Sequence, residues 1–185
     1  ATSVEALMAL ASSYVGLGIE HILLGVDHLL FVLGLIRLVR SRWMLVKTIT
    51  AFTVAHSITL AAATFGWVLV AERTVNAAIA LSIAFVAVEV MRLRRGQTGW
   101  SVRHPWSVAF AFGLLHGFGF AGALTQLGLT AEAIPWALLF FNVGVEIGQL
   151  AFVFMVLALT WAHRKLNALL PRWAEAGPVY AIGVI

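Results

Sequence analysis

The chain has no cysteine, so disulfides, iron–sulfur clusters, zinc ribbons and thiolate nucleophiles are excluded, and any metal has to be held by histidine, carboxylate, amide or methionine. Charge is scarce as well. Asp, Glu, Lys and Arg make up 11% of the 185 residues, hydrophobic types 62%, and mean hydropathy is +0.98. A soluble domain carries about 25% charged residues, so this composition is that of an integral membrane protein. The chain also lacks a Gly-x4-Gly-Lys-Ser/Thr phosphate loop and a His-Glu-x-x-His pattern, so it offers no nucleotide motif and no hydrolytic zinc signature. The formal net charge is +4, but the basic residues sit in short breaks between apolar runs. That distribution is a topology signal and not a nucleic-acid footprint.

Apolar runs cover about 17–39, 48–70, 74–91, 106–127 and 134–161, each near the ~20 residues that cross a bilayer. The expected fold is an all-α polytopic transmembrane helix bundle, a single domain over 1–185 with five complete spans. A further run at 177–185 reads as the start of a truncated sixth helix, or as a short re-entrant or surface segment. Residues 1–15 contain an apolar stretch too short to span, expected along the outer interface. Arg37, Arg40, Arg42 and Lys47 follow the first run, Arg92, Arg94, Arg95 and Arg103 the third, and His163, Arg164, Lys165 and Arg172 the fifth. The positive-inside rule puts these three loops in the cytoplasm and the N-terminus outside. Trp43, Trp100, Trp106 and Trp161 stand near span ends as interfacial anchors.

A weak repeat accompanies the runs. Ala51-Phe52-Thr53-Val54-Ala55-His56 in the second is answered by Ala111-Phe112-Gly113-Leu114-Leu115-His116 in the fourth, and Val86-Ala87-Val88-Glu89-Val90 in the third by Val143-Gly144-Val145-Glu146-Ile147 in the fifth. The pattern is that of a parallel two-helix repeat, an organisation used by transporters.

An ionisable side chain inside a bilayer costs several kcal/mol, roughly 2.5–3.5 on insertion scales, and is a functional candidate by default. The first run holds Glu20, His21, Asp27 and His28, the second His56, the third Glu89, the fourth His116, and the fifth Glu146 with Asn142 and Gln149. On a continuous helix His21 and His28 share a face, and Glu20 and Asp27 form a neighbouring row. Seven residues of helix rise ~10.5 Å, so the two histidines mark two levels of a path, or Gly25 lets the helix bend. Counting from the span ends brings Asp27, His28, His56, His116 and Glu146 near the midplane, where secondary transporters hold substrate and coupling ions. Imidazoles and carboxylates together suit nickel, cobalt, zinc or copper(II). Asn142, Glu146 and Gln149 make an i, i+4, i+7 polar stripe able to orient such ligands. Glu20, Glu89, Asn142 and Gln149 are the secondary candidates, and Glu89 has Arg92 within reach as an alternative partner. His104 and His163 fall in basic loops and read as solvated.

The run from His21 through Gly25 to Asp27-His28 resembles the first-helix signature of the HupE/UreJ family of membrane proteins, and Phe112-Gly113-Leu114-Leu115-His116-Gly117 resembles its second His-Gly motif. Ala51 to Leu60 and Phe141 to Glu146 are similar to a branch of that family, so the resemblance covers roughly 16–160. Ile22 stands where the first motif commonly has proline. The resemblance implies nickel or cobalt permeation across the bacterial inner membrane, with His21, Asp27, His28 and His116 as motif positions. The expected function is therefore a transition-metal permease, with nickel or cobalt ahead of copper or zinc as the ion. The expected partners are the lipid bilayer and metal ions, with a homo-oligomer or a metal-delivery protein left open and no nucleic acid or nucleotide. The alternatives are an intramembrane zinc-dependent metalloenzyme and a haem-binding membrane protein with His28, His56 or His116 as axial ligands.

Overall fold

In a computed structural model the described residues are 3–120, 130 and 132–169, and they form helices with no strand among them. The elements are α1 (Ser3–Leu24), α2 (Val26–Leu38), α3 (Arg42–Thr64), α4 (Glu72–Arg94), the single turn α5 (Trp100–Arg103), α6 (Pro105–His116) with a 3₁₀ turn at Gly117–Gly119, and α7 (Ile134–Leu169). The chain divides into two compact units, Ala1–Phe152 and Val153–Ile185. In the second, the Lys165 amine lies 4.9 Å over the Trp161 ring.

Among the described residues, four helices are long and apolar enough to cross a membrane: Val4–Leu24, Arg42–Thr64, Glu72–Arg94 and Ile134–Leu166. That is fewer than the five complete spans expected. The run at 17–39 is not one helix, because the chain leaves helical geometry at Gly25 (φ −78°, ψ 92°) and restarts at Val26. Its second part, α2, has 13 residues and rises only about 20 Å, short of a ~30 Å hydrocarbon core. The stretch expected to lie along the interface is helical from Ser3 and continuous with 17–24 in α1. No stop signal separates it from Leu17, and Gly16 and Gly18 cost only about 1 kcal/mol each relative to alanine. The run at 106–127 is described only as far as Phe120, and the segment 177–185 lies outside the described residues.

Helix ends follow local chemistry. The Ser41 hydroxyl accepts from the Met44 N–H at 3.5 Å at the start of α3. The run at 48–70 stops early because Gly66 takes φ +74° and Trp67 N–H returns to the Ala62 carbonyl at 2.9 Å, a glycine-terminated cap. Gly96 (φ +78°) ends α4 in the same way, with Gln97 N–H on the Arg92 carbonyl at 3.0 Å. Pro105 opens α6, where its missing N–H leaves no helix bond unmade.

Packing puts α3 in the middle: half of its most apolar stretch is buried, against 11% for α1. α3 and α6 run parallel. A Cβ at Gly113 would strike the Phe52 carbonyl and Ala55, and one at Gly117 the Thr59 hydroxyl and the His56 carbonyl, so the backbones meet at both levels. α1 and α7 touch the same way, Gly144 lying against Val15 and Gly18 against the Phe141 carbonyl. The largest enclosed side chains include Ile22, Phe31, Leu35, Ile49, Phe52, Leu60 and Phe141, and buried polar side chains include His28, His56, His116, Ser82, Asn142 and Gln149.

Candidate metal centre

His21 lies in the last turn of α1 and His28 in the first turn of α2. The break at Gly25 folds the seven-residue interval back, so the two rings stand 4.7 Å apart, edge to face. A side chain at Gly25 would meet both the His21 carbonyl and the His28 ring, so the close approach requires glycine there. From α3, the ring of His56 lies 6.1 Å from that of His21 and 6.3 Å from that of His28. From the end of α6, His116 lies 5.1 Å from His28. One ligand nitrogen each from His21, His28 and His56 falls within 4.8 Å of the others. A tetrahedron with 2.0–2.1 Å metal–nitrogen bonds has edges of about 3.3 Å, so closing on an ion needs only small ring movements.

His28, His56 and His116 are 6%, 0% and 1% exposed. Five of the cluster's ring nitrogens are buried without a partner: His21 Nε2, both nitrogens of His28, His56 Nε2 and His116 Nδ1. An orphaned buried polar atom costs about 1–3 kcal/mol, so five in one place are a feature that packing alone does not produce. Aromatic rings close the surroundings. Phe31 and Phe52 lie 5.4 and 5.1 Å from His116, and Phe120 and Phe141 lie 4.3 and 5.4 Å from His21.

The remaining nitrogens of two histidines are held from other helices. His56 Nδ1 lies 3.3 Å from Asn142 Oδ1 on α7, and His116 Nε2 lies 2.9 Å from Ser82 Oγ on α4. Below this level α3 and α7 continue a polar seam. Thr53 Oγ1 donates to Gln149 Oε1 at 3.0 Å, and Thr50 Oγ1 donates to Glu146 Oε1 at 2.7 Å. The other oxygen of Glu146 is buried and has no partner.

Among the described residues, the set whose ligand atoms lie within 4.8 Å of one another contains histidines and no carboxylate. Asp27 is exposed at the start of α2, where it favours the positive helix end, and it borders a cavity of about 300 Å³ against α4 that includes Asn76. Glu20 is exposed and lines an open cleft of about 380 Å³ with Leu17, His21, Leu24, Gly25 and Phe120. Glu89 is buried away from the cluster, paired with Arg92 at 2.9 Å and accepting a hydrogen bond from Ser101. His104 and His163 are exposed and lie outside the group.

Ser82 and the four phenylalanines were not singled out from the sequence. For Ser82 a signal existed: it precedes Glu89 by seven residues, placing the two buried polar groups of α4 on one face.

No curated protein and no solved structure matches the chain. A family model described as HupE / UreJ protein matches residues 1–185, the whole length. Its apolar helices make the protein a multi-pass membrane protein, and the chain belongs to the HupE / UreJ family.

Proposed function

We propose that the protein is a transition-metal permease, with a divalent cation as its substrate. The observation that carries this reading is the group of unpartnered imidazole nitrogens from His21, His28 and His56, with His116 beside them, enclosed among apolar rings. Neutral imidazoles without thiolate select borderline ions, and the family is associated with nickel and cobalt, so these two lead and copper or zinc follow. The ion enters past Glu20 into the cleft that His21 lines and is held by the four histidines. It leaves along the α3–α7 seam past Glu146. Asp27 acts from beside the cluster as an acidic attractor for the ion, and Asn142 and Gln149 act through their hydrogen bonds.

The bacterial inner membrane, an N-terminus outside and a parallel repeat belong to the same reading. The basic residues after α2 and α4, and the parallel run of α3 and α6, support it. Movement is driven by membrane potential or by protons, since the sequence contains no nucleotide-binding loop.

The test is uptake of nickel and cobalt into vesicles bearing the wild type, His28→Ala or His116→Ala. Wild-type uptake at least tenfold above both variants is expected. Equal uptake in all three would remove the histidine cluster from the pathway.

A further inference from the structure

A buried imidazole can bind a cation only if it turns a lone pair toward the ion, and a neutral ring has one lone pair and one N–H. Which nitrogen is bare therefore decides whether His56 and His116 can contribute at all. Both answers follow from groups outside the cluster.

Asn142 Nδ2 donates to the Leu138 carbonyl at 2.7 Å. A carbonyl can only accept, so the amide cannot be flipped, and Oδ1 is the atom facing His56. Oδ1 in turn can only accept, which requires the proton of His56 on Nδ1. His56 Nε2, the buried atom without a partner, is then the lone pair. The second case has the same logic. Ser82 Oγ lies 2.6 Å from the Ile79 carbonyl oxygen, a separation two oxygens tolerate only with a proton between them. The hydroxyl proton is thus committed, and Ser82 Oγ accepts from His116 Nε2 at 2.9 Å. His116 Nδ1, again the unpartnered atom, is the lone pair.

We propose that Asn142 and Ser82 are positioning residues that set opposite tautomers in His56 and His116, each turning a bare nitrogen toward the cluster. The arrangement is crossed. His56 on α3 is set from α7, and His116 on α6 is set from α4, so in the α3–α4 and α6–α7 pairs each half orients the other's histidine. His28 has no such partner on either nitrogen and is free to present whichever one the ion needs. The consequence for metal binding rests on the permease reading, whereas the tautomers do not.

The experiment is solid-state NMR of histidine-15N-labelled, metal-free protein in bilayers, where protonated and bare ring nitrogens are resolved, with signals assigned by their loss in His56→Gln and His116→Gln. Wild type is expected to show His56 protonated on Nδ1, the less common form in water, and His116 on Nε2. Asn142→Leu should return His56 to a mixture, and Asn142→Asp, which keeps the acceptor, should retain the tautomer and controls for folding. Nickel and cobalt retention should fall about 10–100-fold in Asn142→Leu and Ser82→Ala, and return in Asn142→Asp and Ser82→Thr. A wild-type His56 protonated on Nε2, an Asn142→Leu spectrum unchanged from wild type, or undiminished retention in both truncations would each overturn the proposal. Wild type that carries the assigned tautomers but neither retains nor transports nickel or cobalt would sink the permease reading and leave the tautomer assignment standing.

Discussion

His21 and His28 stand seven residues apart in the chain and 4.7 Å apart in space, because the helix that would separate them ends at Leu24 and a new one begins at Val26. A straight helix would hold the pair about 10.5 Å apart. The site exists only because the chain breaks, and the break depends on a residue without a side chain.

Gly25→Ala is therefore expected to cost more than an alanine usually does. Alanine favours helix by about 1 kcal/mol over glycine, which rewards continuing α1 into α2. Its Cβ would also press on the His21 carbonyl and the His28 ring. Metal retention should drop at least tenfold while helix content by circular dichroism stays level or rises. Retention equal to wild type would show that the break does not assemble the site.

His28 has both ring nitrogens buried and unpartnered, so in the empty protein it is a net cost. Replacing it with leucine removes orphaned groups worth about 1–3 kcal/mol each and leaves a side chain of similar bulk. The metal-free His28→Leu protein should thus unfold at a higher temperature than wild type, yet nickel or cobalt should no longer raise that temperature. Thermal unfolding with and without metal reads both effects. A His28→Leu protein less stable than metal-free wild type would mean that the ring serves packing.

The histidines were legible because an ionisable group in an apolar run is expensive and stands out from its neighbours. Their arrangement was only half legible. Placing His21 with His28 and Glu20 with Asp27 on one side of a helix assumes unbroken phase from 20 to 28; the other reading of the spacing, a bend at Gly25, is the one the structure takes, and the histidines meet while both carboxylates are exposed. Hydropathy could not register the break, since Leu24, Gly25 and Val26 read as one apolar run. Residues 4–15 are the converse case: no break separates them from 17–24, and both lie in one helix. For Ser82 the sequence offers only its seven-residue spacing to Glu89, and its role comes from His116 on another helix, which that spacing does not reveal.

Glu89 separates a structural carboxylate from a transporting one. It is 5% exposed, bonded to Arg92 and Ser101, and near the end of α4. Glu89→Ala leaves the buried Ser101 hydroxyl without its acceptor, a loss of about 1–3 kcal/mol. Thermal stability should fall accordingly, with metal retention at the histidines unchanged. Retention that fell tenfold or more at a temperature where the variant is folded would put Glu89 on the ion path.

Glu146 is the opposite case. Thr50 donates to one of its oxygens and the other is buried with no partner, so the side chain has an anionic acceptor left to offer. Along α3, Thr50 lies six residues from His56, about 9 Å, so on the proposed pathway Glu146 is the next station after the histidines. Glu146→Gln preserves the acceptor for Thr50 and nearly the volume, and removes only the charge. Metal bound at equilibrium should then match wild type, because the imidazoles are untouched, while the rate of uptake into vesicles should fall about tenfold or more for want of a negative site to receive the departing cation. Glu146→Asp, keeping the charge on a shorter arm, should recover part of the rate. If Glu146→Gln lost binding and uptake together, the carboxylate would belong to the cluster; if it altered neither, the seam would be a helix contact and the ion would leave by another route.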